Sequence, residues 1–180
     1  NKAKVIQSLE QNVVDFALVS VLPDHLKINR VELMQNKLFL VGGTSRVGPK
    51  KRSATRILKE EPLIFRESGS ATRNAMESFL ASKSIQNSKR LELTSNEALK
   101  QALIAGLGYS IMPLIGLKNE LKNEDLEIIP MRGLPVITHW NLIWQKSKNL
   151  SPTALAFLEY LAGHKDEIIQ EHFDWFEKYN

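Results

Sequence analysis

The stretch 64–79, IFRESGSATRNAMESF, decides how the rest of the chain is read. An apolar run ends at Phe65, six small or charged residues follow, and helical spacing then places Ala71, Ala75, Met76, Phe79 and Leu80 on one stripe. The pattern predicts a buried strand feeding a helix over 70–82, with Arg66, Ser68, Ser70 and Thr72 as a collar around the helix start. Backbone N–H groups of a first helical turn have no partner within the helix. Aligned peptide dipoles also place partial positive charge there, so a carboxylate, sulfate or phosphate is favoured. Simple N-capping by Ser70 explains the same residues without a ligand. Local chemistry leaves the two readings even.

Working outward, the spacing of Val5, Ile6 and Leu9 predicts a helix over 1–11, and FALVS (16–20) reads as a short parallel strand buried on both faces. The segment 27–43 carries two strand-like pieces, Val31–Met34 and Lys37–Val41. KRLELTS (89–95) is a strand running into a helix, where Thr94 and Glu97 have capping-box spacing and Gly106 suits a left-handed C-cap. GYSIMP (108–113) is a buried strand, a short helix over 114–121 follows, and LEIIPM (126–131) and VITHWNLIWQ (136–145) are further strands. Ser151 and Pro152 give an N-cap and a proline at the first helical position. That helix is expected to end near Gly163, with a separate last helix carrying Ile168, Ile169, His172, Phe173 and Phe176. Such alternation argues for open, largely parallel sheets covered by helices, which bind ligands beyond the carboxyl ends of the strands.

With 180 residues, 43 % of them hydrophobic and 24 % charged, the chain has the balance of a soluble protein able to bury a core. It has no cysteine, which excludes disulfides, thiolate nucleophiles and Cys-based zinc sites. No apolar run approaches the roughly 20 residues of a membrane-spanning helix, and no signal-peptide pattern opens the chain. The opening helix suggests a chain that starts inside a fold. The net charge of +4 is concentrated in Arg46, Lys50, Lys51, Arg52 and Arg56, without aromatics to stack on bases, and reads as a solvated loop. GGTSRVGPKK (42–51) fails as a phosphate-binding P-loop because Pro49 stands where the lysine is needed. The histidines His25, His139, His164 and His172 lack metal spacing, and no nucleophile elbow is present. Hydrolytic and metal chemistry have no positive support.

Taken in order, DFALVS, LIFRESGSATRNAMESFL, LELTSNEALKQALIAGLGYSIMP, LEIIPM and LSPTALAFLEYL resemble the effector-binding domain of LysR-type transcriptional regulators over nearly the whole chain. The resemblance implies an α/β fold of the type II periplasmic-binding-protein kind, with two Rossmann-like lobes joined by two crossover strands and an effector cleft between them. Lobe I would hold 1–66 and 137–180 and lobe II 67–136, with crossings at IFRE and VITHW. The family's first strand–helix–strand of lobe I, its linker helix and its N-terminal winged helix-turn-helix would precede this sequence. Carried over residue by residue, the effector positions are Ser20, Arg66, Ser68, Ser70, Thr72, Ser95, Asn96, Ser110 and Ile111. The implied ligand is a small anionic effector, bound without catalysis, cofactor or metal. A cytoplasmic homodimer or tetramer is expected, paired through the helices at 1–11 and 70–82, with no membrane contact and with DNA reached only through the winged helix-turn-helix. Two other classes share the fold: a transporter's solute-binding protein, and an enzyme such as a dehydratase or deaminase.

Overall fold

The computed structural model describes residues 1–44 and 53–179. Most of the basic cluster, Arg46, Lys50, Lys51 and Arg52, lies outside the described residues, as does Gly48–Pro49 of the P-loop-like stretch. The chain forms two compact units, one of residues 1–36 with 138–180 and one of residues 37–137. It passes from one to the other within two strands, β2 (Ile28–Gly43) and β7 (Val136–Gln145). The second division falls inside VITHW. The first falls at 36/37, so the segment 37–66 groups with 67–137 and IFRE lies well inside the second unit.

In the first unit, α1 (Lys2–Glu10) begins at Asn1, whose side chain accepts from the Lys4 N–H. Its Ile6 and Leu9 are buried against Ala17 and Val19 of β1 (Ala17–Val19) and Ile143 of β7. β1 pairs antiparallel with β7, and its middle residue Leu18 is 52 % exposed. FALVS is therefore a half-buried antiparallel strand, correcting the parallel, doubly buried one expected. Lys148 closes the approach to β1 by bonding the Asp15 carboxylate at 2.8 Å and the Val14 carbonyl at 3.0 Å.

The last helix of this unit, α6 (Pro152–Phe173), starts as its sequence dictates: Ser151 accepts from the Ala154 N–H and proline occupies the first turn. It then runs unbroken through Gly163, where two helices were expected. A lone interior glycine costs a helix only about 1 kcal/mol relative to alanine, and the helix-forming residues on both sides outweigh it. A short 3-10 turn, Asp174–Lys178, follows, with Phe176 buried.

The second unit holds the end of β2, α2 (Ala54–Glu60), β3 (Leu63–Arg66), α3 (Ala71–Ser82), β4 (Arg90–Leu93), α4 (Asn96–Ile104), β5 (Tyr109–Pro113), α5 (Lys118–Lys122) and β6 (Leu126–Ile128). β3 lies parallel to both β4 and β5, with α3 and α4 as the crossover connections. β2 enters from the first unit in the opposite direction and runs antiparallel to β5 (Leu38↔Pro113 to Gly42↔Tyr109) and β6. The sheet is mixed, not largely parallel. β2 is also one strand where two were expected, because the polar Gln35–Asn36 step continues as extended backbone, with the Asn36 amide donating to Thr138 Oγ1 at 2.9 Å.

Alternation sorts β3 between two packing partners. Leu63 and Phe65 join a core with Met76, Phe79 and Leu80 of α3, while Ile64, fully buried between them, points the other way. α4 ends as its sequence predicts, at Gly106 with φ +71. The Leu107 N–H bonds the Ala102 carbonyl and the Gly106 N–H that of Leu103, both at 2.9 Å, which is the Schellman pattern.

Candidate functional site

β3 and β4 lie side by side and parallel, with Arg66 opposite Leu93 at their carboxyl ends. The helices that follow, α3 from Ala71 and α4 from Asn96, therefore both begin at this one edge of the sheet. Between β3 and α3 the chain makes a tight turn. Gly69 has φ +82, a conformation side chains resist, and the Ser70 N–H bonds the Glu67 carbonyl at 3.2 Å.

Ser70 occupies the N-cap position of α3 with extended backbone (φ −81, ψ 131) and is only 3 % exposed, yet its side chain makes no capping hydrogen bond. Three other serine caps behave differently. Ser53, Ser95 and Ser151 accept from the N–H of Arg56, Ala98 and Ala154 at 3.3, 3.1 and 3.2 Å. Capping thus explains the position of Ser70 but not the use of its hydroxyl. Thr72 is half-buried in the first turn of α3, and Ser68 is exposed on the turn before it. At α4 the cap is Ser95, one residue beyond the expected Thr94, whose carbonyl instead takes a long contact from Arg66 at 3.5 Å.

Arg66 is engaged on all three nitrogens. Its Nε and Nη2 hold the two Glu67 oxygens at 2.8 and 3.0 Å, and Nη1 donates to the Asn96 side-chain oxygen. Arg73 donates to the Arg66 carbonyl at 3.2 Å and pairs with Glu77 at 3.0 Å and with Glu92. The hydrogen bond from Arg73 to Glu92 is the main cause holding its guanidinium pKa above the ordinary value. Carboxylates therefore offset both arginines, and the remaining local attraction for an anion comes from the helix N-termini and the hydroxyls.

The structure brings together Arg66, Ser70, Thr72, Ser95 and Asn96 at this edge. Ser110 and Ile111 are enclosed at 1 % and 0 % exposure. The Ser110 hydroxyl donates to the Ile64 carbonyl at 2.6 Å, tying β5 to β3, and Ile111 lies in the core. The Ser110 hydroxyl is thus already engaged within the sheet. Ser20 follows β1 in the first unit and is half-buried. Sequence reasoning missed Glu67 and Arg73: the i,i+4 pair of Arg73 with Glu77 was readable locally, but the turn that aims Glu67 back at Arg66 and the strand pairing that brings Glu92 to Arg73 were not. Among the described residues, no three His, Asp or Glu gather as a metal set, and no helix is long and apolar enough to cross a membrane.

Helix N-termini presented at the carboxyl ends of parallel strands define an α/β ligand-binding domain. The chain belongs to the family described as LysR substrate binding domain, which matches residues 1–166. It is 38 % identical over 170 residues to the HTH-type transcriptional activator CmpR of Synechocystis sp., covering 93 % of this chain and 56 % of that one. It is 34 % identical over 163 residues to a RuBisCO operon transcriptional regulator of Allochromatium vinosum, covering 89 % and 54 %. The chain thus spans about half the length of these curated relatives. Among solved structures, the Synechocystis PCC6803 CcmR regulatory domain in complex with 2-PG superposes with a TM-score of 0.82 at 29 % identity, covering 92 % of this chain and 80 % of that one. The regulatory domain of HypT from Salmonella typhimurium, at TM-score 0.77 and 17 % identity, covers 92 % and 79 % and shares the fold. The expected fold class, α/β of the type II periplasmic-binding-protein kind, is the one these neighbours have.

Proposed function

We propose that this chain is the ligand-sensing part of a LysR-type transcriptional regulator, and that it holds a small anionic effector at the starts of α3 and α4. The observation that carries the reading is Ser70, a buried N-cap serine whose hydroxyl is not used on its own helix. The N–H groups of the first α3 turn and that hydroxyl make a set of donors suited to an anion. Thr72, Ser68, Ser95 and Asn96 extend the set along the same edge. Ser110 and Ile111 support the site from within the core.

The 2-PG complex of the CcmR regulatory domain supports this reading, and the transcriptional regulators among the relatives favour it over a transporter's solute-binding protein. The role is regulatory and non-catalytic, in a cytoplasmic homodimer or tetramer that meets DNA through a winged helix-turn-helix. The effector acts by population shift, and only its differential affinity for two arrangements of the protein can move that equilibrium. Titration calorimetry with 2-PG tests the site. Binding by the chain is expected, with Ser70→Ala weakening it about tenfold, the equivalent of one hydrogen bond to a charged group. Equal affinity in the variant removes the assignment, and so does the absence of binding by 2-PG and by sulfate.

A further inference from the structure

We propose that Arg66 is a positioning residue: a strut that fixes the α4 start against the end of β3 and reaches an anion only through the helix it holds. The proposal rests on the reading of the helix starts as an effector site, but its geometry is independent of any ligand. A guanidinium has five N–H donors in a rigid plane. In Arg66 that plane is clamped by Glu67 through Nε and Nη2 at 2.8 and 3.0 Å, so the remaining edge points at α4. There Nη1 meets Asn96, the first residue of α4, and Nη2 lies 3.5 Å from the Thr94 carbonyl just before it. Both side chains of the pair are largely enclosed, Arg66 at 12 % and Glu67 at 16 % exposure. Of the two edges that could grip a carboxylate or phosphate, the Nε and Nη2 pair is taken by Glu67, and the Nη1 and Nη2 pair is turned to Asn96 and the Thr94 carbonyl. Arg73 fixes the other side by donating to the Arg66 carbonyl at 3.2 Å. The start of α3 follows the same strand end five residues later, so Arg66 sets the spacing between the two helix starts.

A strut and a direct charge contact predict opposite results. Lysine keeps the charge but cannot hold Glu67 and Asn96 together in one plane. Arg66→Lys should therefore lose as much 2-PG affinity as Arg66→Gln, about tenfold in each. Glu67→Gln removes a negative charge beside the site, yet should weaken 2-PG binding because the guanidinium is no longer oriented. Amide hydrogen exchange without ligand gives a second readout: all three variants should exchange faster at Ala98 and Leu99, whose N–H groups bond the Ser95 hydroxyl and carbonyl at the α4 start, while α6 is unchanged. Retained affinity in Arg66→Lys together with tighter binding in Glu67→Gln overturns the proposal in favour of a direct contact. Unchanged exchange at the α4 start overturns it outright. If 2-PG does not bind the unmodified chain, the effector reading of the site fails, and the exchange measurement still decides the strut.

Discussion

Arg66 and Asn96, thirty residues apart in sequence, meet through a hydrogen bond from the guanidinium to the side-chain amide oxygen at the first residue of α4. Asn96→Asp separates stability from binding at this point. A carboxylate there faces both the Arg66 charge and the positive end of the helix, which is worth about 0.3–1 kcal/mol. The unliganded chain should melt at a higher temperature. The same carboxylate places a fixed negative charge where the effector's charge is proposed to sit, so calorimetry should show weaker 2-PG binding. Affinity that rises along with stability would put the anion elsewhere.

Three serine caps use their hydroxyls on their own helices, and Ser70 does not. Replacing a working cap by alanine typically costs about 1 kcal/mol. Urea denaturation of Ser95→Ala and Ser151→Ala should show losses of that order, whereas Ser70→Ala should lose less than about 0.5 kcal/mol, since no cap bond is removed. A loss at Ser70 equal to the others would mean that its hydroxyl caps α3 in solution.

The contrast among these caps shows where the sequence was legible. Ser151–Pro152 and Gly106 announced their roles because cap chemistry acts within four or five residues, and both stand as read. The α4 cap was misplaced by one residue because Thr94 and Ser95 carry the same chemistry, and only backbone direction chooses between them. Strand direction was legible in β3, α3, β4, α4 and β5, where α3 and α4 cross over to parallel neighbours. It was not legible for β1 and β2, whose partners β7 and β5 are distant in sequence. The collar was recognised from its composition. What Arg66 does depended on a turn that aims Glu67 back at it and on a helix start thirty residues on, and neither is written locally.

Lys100 bridges Glu120 at 2.6 Å and Glu97 at 2.9 Å beside the α4 start. The hydrogen bond from Lys100, helped by Gln101, holds the Glu97 carboxyl below its ordinary 4.5. Burial pushes the Lys100 ammonium down, but its bonds to Glu120 and Glu97 outweigh that and leave it above 10.5. A depressed carboxyl contributes stability that is present above its unfolded pKa and is lost as pH falls through the folded one. The lysine's contribution is present below 10.5 and is lost as pH rises through its folded value. Glu97→Gln should thus be less stable than the unmodified chain at pH 7, with the gap closing as pH falls below 4.5. Melting curves across that range check it, and a gap that persists at low pH would show that the carboxylate's charge is not its source.

Two glycines should respond oppositely to alanine. At Gly163, inside α6, an added Cβ meets nothing within 4 Å, so Gly163→Ala should stabilise the chain by about 0.5–1 kcal/mol through helix propensity. At Gly108 the same atom would lie 2.5 Å from the Pro62 carbonyl oxygen, where the Tyr109 N–H also bonds. Gly108→Ala must push β5 away from the residue before β3, and a loss of about 1–3 kcal/mol follows from overpacking. A neutral Gly108→Ala in urea denaturation would mean that this junction is looser than its geometry.

Ser110 separates a residue that touches the effector from one that supports the site. Its hydroxyl is buried and donates to the Ile64 carbonyl at 2.6 Å, joining the two strands whose ends carry the site. Removing the donor leaves a buried carbonyl short of a partner, which costs about 1–3 kcal/mol. Ser110→Ala should therefore lower the urea midpoint clearly while 2-PG affinity, measured well below the melting temperature, stays within about twofold, a change worth under 0.5 kcal/mol. Ser70→Ala should do the reverse, keeping stability and losing affinity. A Ser110→Ala variant that folds as firmly as the unmodified chain but binds 2-PG tenfold more weakly would return Ser110 to the ligand-contacting set and show that β5 opens toward the site when the effector enters.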